Sequence, residues 1–128
     1  MVVTESRTSP RAVIAGISSG IGSAAAERLI ERGWTVAGTS RTPSGYVGSA
    51  KYVIPCDFAK TESIDSAAES LMGPWNLLII APGTMNPISP FLESDMNHWE
   101  RSFQINLLGP LRFVQRILSA DSVSRPSG

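Results

Sequence analysis

The segment whose residue types and spacing come closest to a binding chemistry is Gly16, Ile17, Ser18, Ser19, Gly20, Ile21 and Gly22. A phosphate group needs backbone N–H groups aimed at it and no Cβ in its way, and a helix N-terminus adds favourable partial charge. Glycines at 16, 20 and 22, directly before a helix-forming stretch, supply both conditions. Such a pattern can also be no more than a tight turn; an apolar strand before it and a helix after it favour the phosphate reading.

Other chemistry-bearing side chains are sparse. Cys56 is the only cysteine, with no second Cys or His at metal-ligand spacing, so no zinc or iron–sulfur site is readable. His98 stands beside Trp99 with no second catalytic group, which favours a packed or solvated imidazole over a general base. Trp34, Trp75 and Trp99 lie outside any basic cluster and read as packing residues, not a stacking platform for nucleic acid.

The glycine loop must be held by neighbouring elements, and the sequence offers them in alternation. Ala12 to Ala15 form a short apolar strand ending at Gly16, and the segment after Gly22 is rich in helix formers up to Gly33. Trp34 to Gly38 and Tyr52 to Ile54 give two further strands, separated by a turn-rich stretch through Pro43, Gly45 and Gly48. A second helix begins near Thr61, with Ile64, Ala67, Ala68, Leu71 and Met72 on one stripe before Gly73 and Pro74 stop it.

Leu77 to Ala81 are apolar without alternation, as in a strand covered on both faces, and are expected near the sheet centre. After a proline-rich loop from Pro82 to Pro90, a long helical pattern places Trp99, Phe103, Leu107, Leu111, Val114 and Leu118 roughly on one face, and Gly109-Pro110 is expected to bend or divide it. This alternation predicts an α/β, Rossmann-type, doubly wound parallel sheet of four strands in the order 3-2-1-4, with ligands at the carboxyl ends of the strands.

Lysine plus arginine equals aspartate plus glutamate at 11 each, so no overall field recommends nucleic acid or an anionic membrane as partner. No run of apolar residues is long enough to span a bilayer as a helix, and the first ten residues lack a secretory pattern. A soluble, cytoplasmic protein is expected, with a tail over 1–10, a dinucleotide-binding domain over 11–119 and a polar tail over 120–128.

The loop spacing Gly-x-x-x-Gly-Ile-Gly in AGISSGIG, followed by Cys56-Asp57-Phe58, Ala81-Pro82-Gly83 and the INLLGPL of Ile105 to Leu111, resembles the short-chain dehydrogenase/reductases. A flavodoxin-like nucleotide domain fits the loop spacing less well. The resemblance implies binding of a nicotinamide dinucleotide, with Ser18, Ser19 and Ile21 contacting it beside the glycines. At the end of the second strand an acidic residue would bind a ribose 2′-hydroxyl, whereas this chain has Thr39, Ser40 and Arg41, favouring NADP(H) over NAD(H). The bland reading of Arg41 is a solvated surface residue.

The resemblance also implies that Asp57 bonds the adenine amino group with the Phe58 backbone nearby; an Asx turn at Asp57 is the alternative, and both can hold. Ile80 and Ala81 stand where the family usually has two asparagines, so bracing side-chain bonds are absent while Gly83 keeps its approach to the cofactor. Asn106 matches the helix asparagine that interrupts the helix and positions a water in the proton relay.

Carbonyl reduction in the family uses a Tyr acid, a Lys four residues later that lowers the phenol pKa, and a Ser that orients the substrate. No Tyr-x-x-x-Lys occurs here, because Tyr46 is followed four residues on by Ala50 and Tyr52 by Cys56. The expectation is therefore a truncated oxidoreductase, inactive alone, whose Leu77 to Ala81 strand becomes an exposed edge. Its alternative is a non-catalytic nucleotide-binding or subunit-interaction module. The long C-terminal helix is expected to pair with another chain, a copy or a relative.

Overall fold

Strand β1, Arg11–Ala15, is buried on both sides because its alternate residues belong to two different cores. Val13 and Ala15 face a cluster with Ile64, Ala67 and Leu71, while Ala12 and Ile14 face one with Ile17, Ala26 and Val36. Two faces, each needing cover, dictate a sheet with helices on both sides.

The computed structural model describes residues 10–84 and 88–121. Most of the expected tails, 1–9 and 122–128, and part of the proline-rich loop, 85–87, lie outside them. Helix α1, Gly20–Glu31, follows β1; β2, Thr35–Ser40, and β3, Tyr52–Pro55, come next, then α2, Thr61–Ser70, and β4, Leu77–Ile80. Helix α3, Met96–Phe103, continues through a π-helical turn, Gln104–Leu108, into α4, Gly109–Asp121. All strand pairs are parallel, in the order β3-β2-β1-β4, as the alternation predicts.

Four details differ from the sequence reading. Strand β2 runs to Ser40 instead of stopping at Gly38, because Thr39 and Ser40 pair in register with Ile54 and Pro55 of β3. Among the described residues β4 is not at the sheet centre, as its unbroken apolar run suggests, but an edge, as the absence of a fifth strand implies, and Ile80 is 38% exposed. The stripe of the long helix is present, but Phe103, Leu107 and Leu111 are about half exposed, and the buried positions are Phe113 and Ile117. The helix also runs past Leu118 to Asp121.

The choice of buried face follows from what α4 packs against. Phe113 meets Phe58 edge to face with ring centroids 5.8 Å apart, and Arg112 grips Asp65 of α2 through two 2.8 Å hydrogen bonds. Gly109-Pro110 divides the helix as expected, through one wider turn that ends where both residues are buried. A Cβ on Gly109 would meet the Phe58 carbonyl oxygen, so α4 approaches the β3 loop closely. Arg11 closes the other end of α2, donating to the carbonyls of Leu71 at 3.2 Å and Pro74 at 3.0 Å.

Candidate functional site

The glycine loop after β1 is built by its own backbone before any ligand is considered. Gly16 has φ +81°, a conformation that side chains disfavour, and a Cβ there would lie 2.7 Å from the Pro82 nitrogen. Gly22 has no room for a Cβ because the Gly16 carbonyl oxygen already fills it. A Cβ on Gly20 would meet nothing within 4 Å, so only Gly20 of the three opens onto free space.

Ser19 caps α1: its Oγ accepts from the Gly22 N–H at 2.9 Å and donates to the Gly16 carbonyl at 2.8 Å. The Ser23 N–H reaches the Ser19 carbonyl. The N–H groups of Gly20 and Ile21 take no protein partner among the described residues, so the positive end of α1 keeps two free donors.

Strand β2 anchors this loop through a residue that the sequence reading named only as part of the strand end Thr39-Ser40-Arg41. Thr39 is fully buried; its Oγ1 accepts from the Gly16 N–H at 3.1 Å and its carbonyl from the Ile17 N–H at 2.9 Å. Ser40, also buried, shares a 2.7 Å hydroxyl–hydroxyl bond with Ser18 and accepts from the Thr42 N–H at 3.1 Å. The turn that carries Arg41 is thereby tied to the glycine loop.

These elements border a cleft of about 450 Å³ at the carboxyl ends of the strands. Gly16, Ser18 and Ser19 line it from the loop, Ser40 and Arg41 from β2, Asp57 and Phe58 from β3. Pro82 and Gly83 line it after β4. Of the remaining expected cofactor residues, Gly20, Ile21, Gly22 and Ala81 are not in the lining; Ala81 donates its N–H to the Ala15 carbonyl, and the Ile21 side chain is 76% exposed.

Asp57 makes the Asx turn that its type favours, its Oδ1 accepting from the Ala59 N–H at 2.9 Å, while its own N–H donates to the Ser63 Oγ at 2.8 Å. Cys56 lies under the cleft with its thiol pushed up to about 12, chiefly by burial and further by the Asp57 charge, against a Ser63 hydrogen bond that lowers it. No group of three or more His, Cys, Asp or Glu that could hold a metal ion occurs among the described residues.

Asn106 sits in the π-helical turn but outside the cleft lining. Its amide bonds both the N–H and the carbonyl of Thr84, and also reaches the Ser102 Oγ at 3.2 Å. Thr84 in turn lines the cleft, with Arg101 and Ile105 of the adjoining helix. The sequence carried a signal for the last two, since 101 and 105 are one helical turn apart and share a face. His98 is exposed and lines a neighbouring hollow of about 480 Å³. Trp34 and Trp75 pack against the two cores as read, and Trp99 is half-buried. No helix among the described residues is long and apolar enough to cross a membrane.

The arrangement agrees with known proteins. A solved aldohexose dehydrogenase of Thermoplasma acidophilum, in ligand-free form, superposes with a TM-score of 0.77 at 25% identity, over 91% of this chain and 46% of that one. A short-chain dehydrogenase/reductase of Burkholderia multivorans with bound NADP superposes with a TM-score of 0.75 at 26% identity, over 88% of this chain and 54% of that one. Among curated sequences, an uncharacterized oxidoreductase of Mycobacterium tuberculosis is 30% identical over 122 residues, covering 83% of this chain and 36% of the relative. A sorbitol dehydrogenase of Cereibacter sphaeroides is 27% identical over 117 residues, covering 85% and 46%. The chain thus spans less than half the length of these curated relatives. A family model described as short chain dehydrogenase matches residues 10–128. With the doubly wound sheet, the glycine loop and the family match all coinciding, this chain belongs to the short-chain dehydrogenase/reductase family.

Proposed function

We propose that the chain binds NADP(H) in the cleft at the strand ends and forms the cofactor half of a carbonyl or alcohol oxidoreductase. The observation that carries the reading is the free pair of N–H groups at Gly20 and Ile21, directly after the Ser18 and Ser19 that line the cleft, together with Arg41 in the same lining. The amides suit the pyrophosphate, and the Arg41 guanidinium with the Ser18 and Ser40 hydroxyls suits a 2′-phosphate. Asp57 has a second carboxylate oxygen for the adenine amino group, the Phe58 backbone lies beside it, and Pro82 and Gly83, following an Ala81 held to β1, would border the path toward the nicotinamide.

A bound nicotinamide would supply the hydride donor or acceptor. The Ser, Tyr and Lys that the family uses for the proton are not supplied by these residues, so turnover of this polypeptide alone is not expected. Asn106 is placed as a positioning residue of the relay region, since its amide is engaged with Thr84 and Ser102.

Calorimetric titration with NADPH and NADH tests the reading. NADPH is expected to bind roughly tenfold more tightly, as one charge-assisted contact would give, with R41A bringing the two to parity. Equal affinity in the wild type refutes the role of Arg41, and absence of saturable binding by either refutes the whole reading.

The same reading places the protein in the cytoplasm, where a lone reduced cysteine such as Cys56 is at home. It also places a contact with another copy or a relative on the half-exposed Leu107, Leu108 and Leu111. Sedimentation velocity should show an oligomer that L108D/L111D dissociates; a wild-type monomer at high concentration excludes it.

A further inference from the structure

The helix wall of the cleft holds a cation that the family resemblance does not account for. Arg101, exposed on α3, lines the cofactor cleft and also the hollow next to it, so it stands on the partition between them. Arg112 and Arg116, further along the same helical run, are both paired with Asp65. Arg101 has no ion pair among the described residues, and the single carboxylate in the cleft lining, Asp57, is beyond ion-pair reach of it.

The cleft lining that Arg101 joins includes apolar side chains against which a flat aromatic ring can lie. Ile105, one turn on along the same face, presents apolar surface to the cleft, and Cys56 and Phe58 at the end of β3 line it beside Asp57. A guanidinium beside an apolar side chain such as Ile105 can take a π face as partner: it is planar, weakly hydrated and drawn to the ring quadrupole. Free donors for phosphate lie elsewhere, at the Gly20 and Ile21 amides.

We propose that Arg101 recognises the adenosine half of the cofactor by stacking its guanidinium on the adenine, making it a determinant of nucleotide affinity in addition to the glycine loop and Arg41. This rests on the reading of the cleft as a dinucleotide site. It assigns to α3 a direct contact with the ligand, beside the indirect part that Asn106 plays by holding Thr84.

Calorimetric titration of wild type, R101A and R101K with 5′-AMP, NADPH and reduced nicotinamide mononucleotide separates the possibilities, with circular dichroism confirming that the exposed substitutions leave the fold intact. Both variants should weaken 5′-AMP and NADPH about two- to fivefold, the range of an exposed cation–π contact, and leave the mononucleotide unchanged. Full affinity in R101K with a loss in R101A would make Arg101 a simple charge contact and overturn the stacking. Unchanged 5′-AMP binding in R101A, with wild type still binding NADPH, overturns the inference and spares the cofactor reading. A wild type that binds no NADPH overturns both.

Discussion

The side-chain amide of Asn106 closes a two-point ring on the backbone of Thr84: Oδ1 accepts from the Thr84 N–H at 2.7 Å, and Nδ2 donates to the Thr84 carbonyl at 2.9 Å. The amide acts as a substitute strand neighbour for a chain that has just left β4, and it fixes the wall of the cleft after Gly83. It can do so because the wider π-helical turn of Gln104–Leu108 carries Asn106 next to this loop.

Removing that ring should loosen the loop without unfolding the sheet. N106A is expected to cost about 1–2 kcal/mol locally, the net worth of two hydrogen bonds, and to speed hydrogen exchange at the Thr84 amide by about tenfold. N106D keeps the acceptor and should fall between. Unchanged Thr84 exchange in N106A would show that the clamp does not hold the loop.

Gly16 and Gly20 should separate architecture from binding. G16A forces a side chain into a left-handed φ, about 1–3 kcal/mol by itself, and against the Pro82 backbone, so its thermal midpoint should fall sharply. G20A fills open space and should leave the midpoint nearly unchanged while weakening NADPH. The assignment fails if G16A melts like wild type or if G20A binds NADPH with undiminished affinity.

Cys56 should be inert in the native protein. With its thiol pushed up to about 12, it is protonated at neutral pH, and iodoacetamide at pH 8 should label it only after denaturation. The raised value also sets a sign. Its contribution to stability is complete below the ordinary thiol value near 9.0 and is lost as pH rises toward 12, since the unfolded chain ionises first. C56A should flatten that alkaline decline; a decline of the same steepness would assign it to other groups.

Asp65 predicts the opposite slope. Hydrogen bonding by Arg112 is the main reason its carboxyl lies below the ordinary 3.8, so the stability it adds is present above that value and is lost as pH falls through the lower folded value. D65N should melt earlier than wild type at pH 7, and the gap should close in acid. A gap that persists at low pH would mean that the pair of hydrogen bonds matters and the charge does not.

Local and periodic features were legible from the sequence: the strand and helix alternation, the parallel order 3-2-1-4, the glycine loop at a helix start, the division of the last helix at Gly109-Pro110. Apart from the strand order, which follows from the handedness of the crossovers, each depends on residues close together in the chain, through backbone geometry, side-chain period or capping. The sequence also determined that Gly16 must be a glycine, though not that the reason is the backbone of Pro82.

Only the tertiary structure decided which long helix face is buried, because that depends on Phe58 and Asp65, far away in sequence, meeting Phe113 and Arg112. It likewise revealed Thr39 as the anchor of the glycine loop, Thr84 as the partner of Asn106 and Arg101 as a wall of the cleft. A threonine at a strand end or an arginine on a helix has no local pattern to mark it. Its role exists only once parallel pairing brings the carboxyl ends of four strands to one edge, where hydrogen-bond partners some twenty residues apart become neighbours.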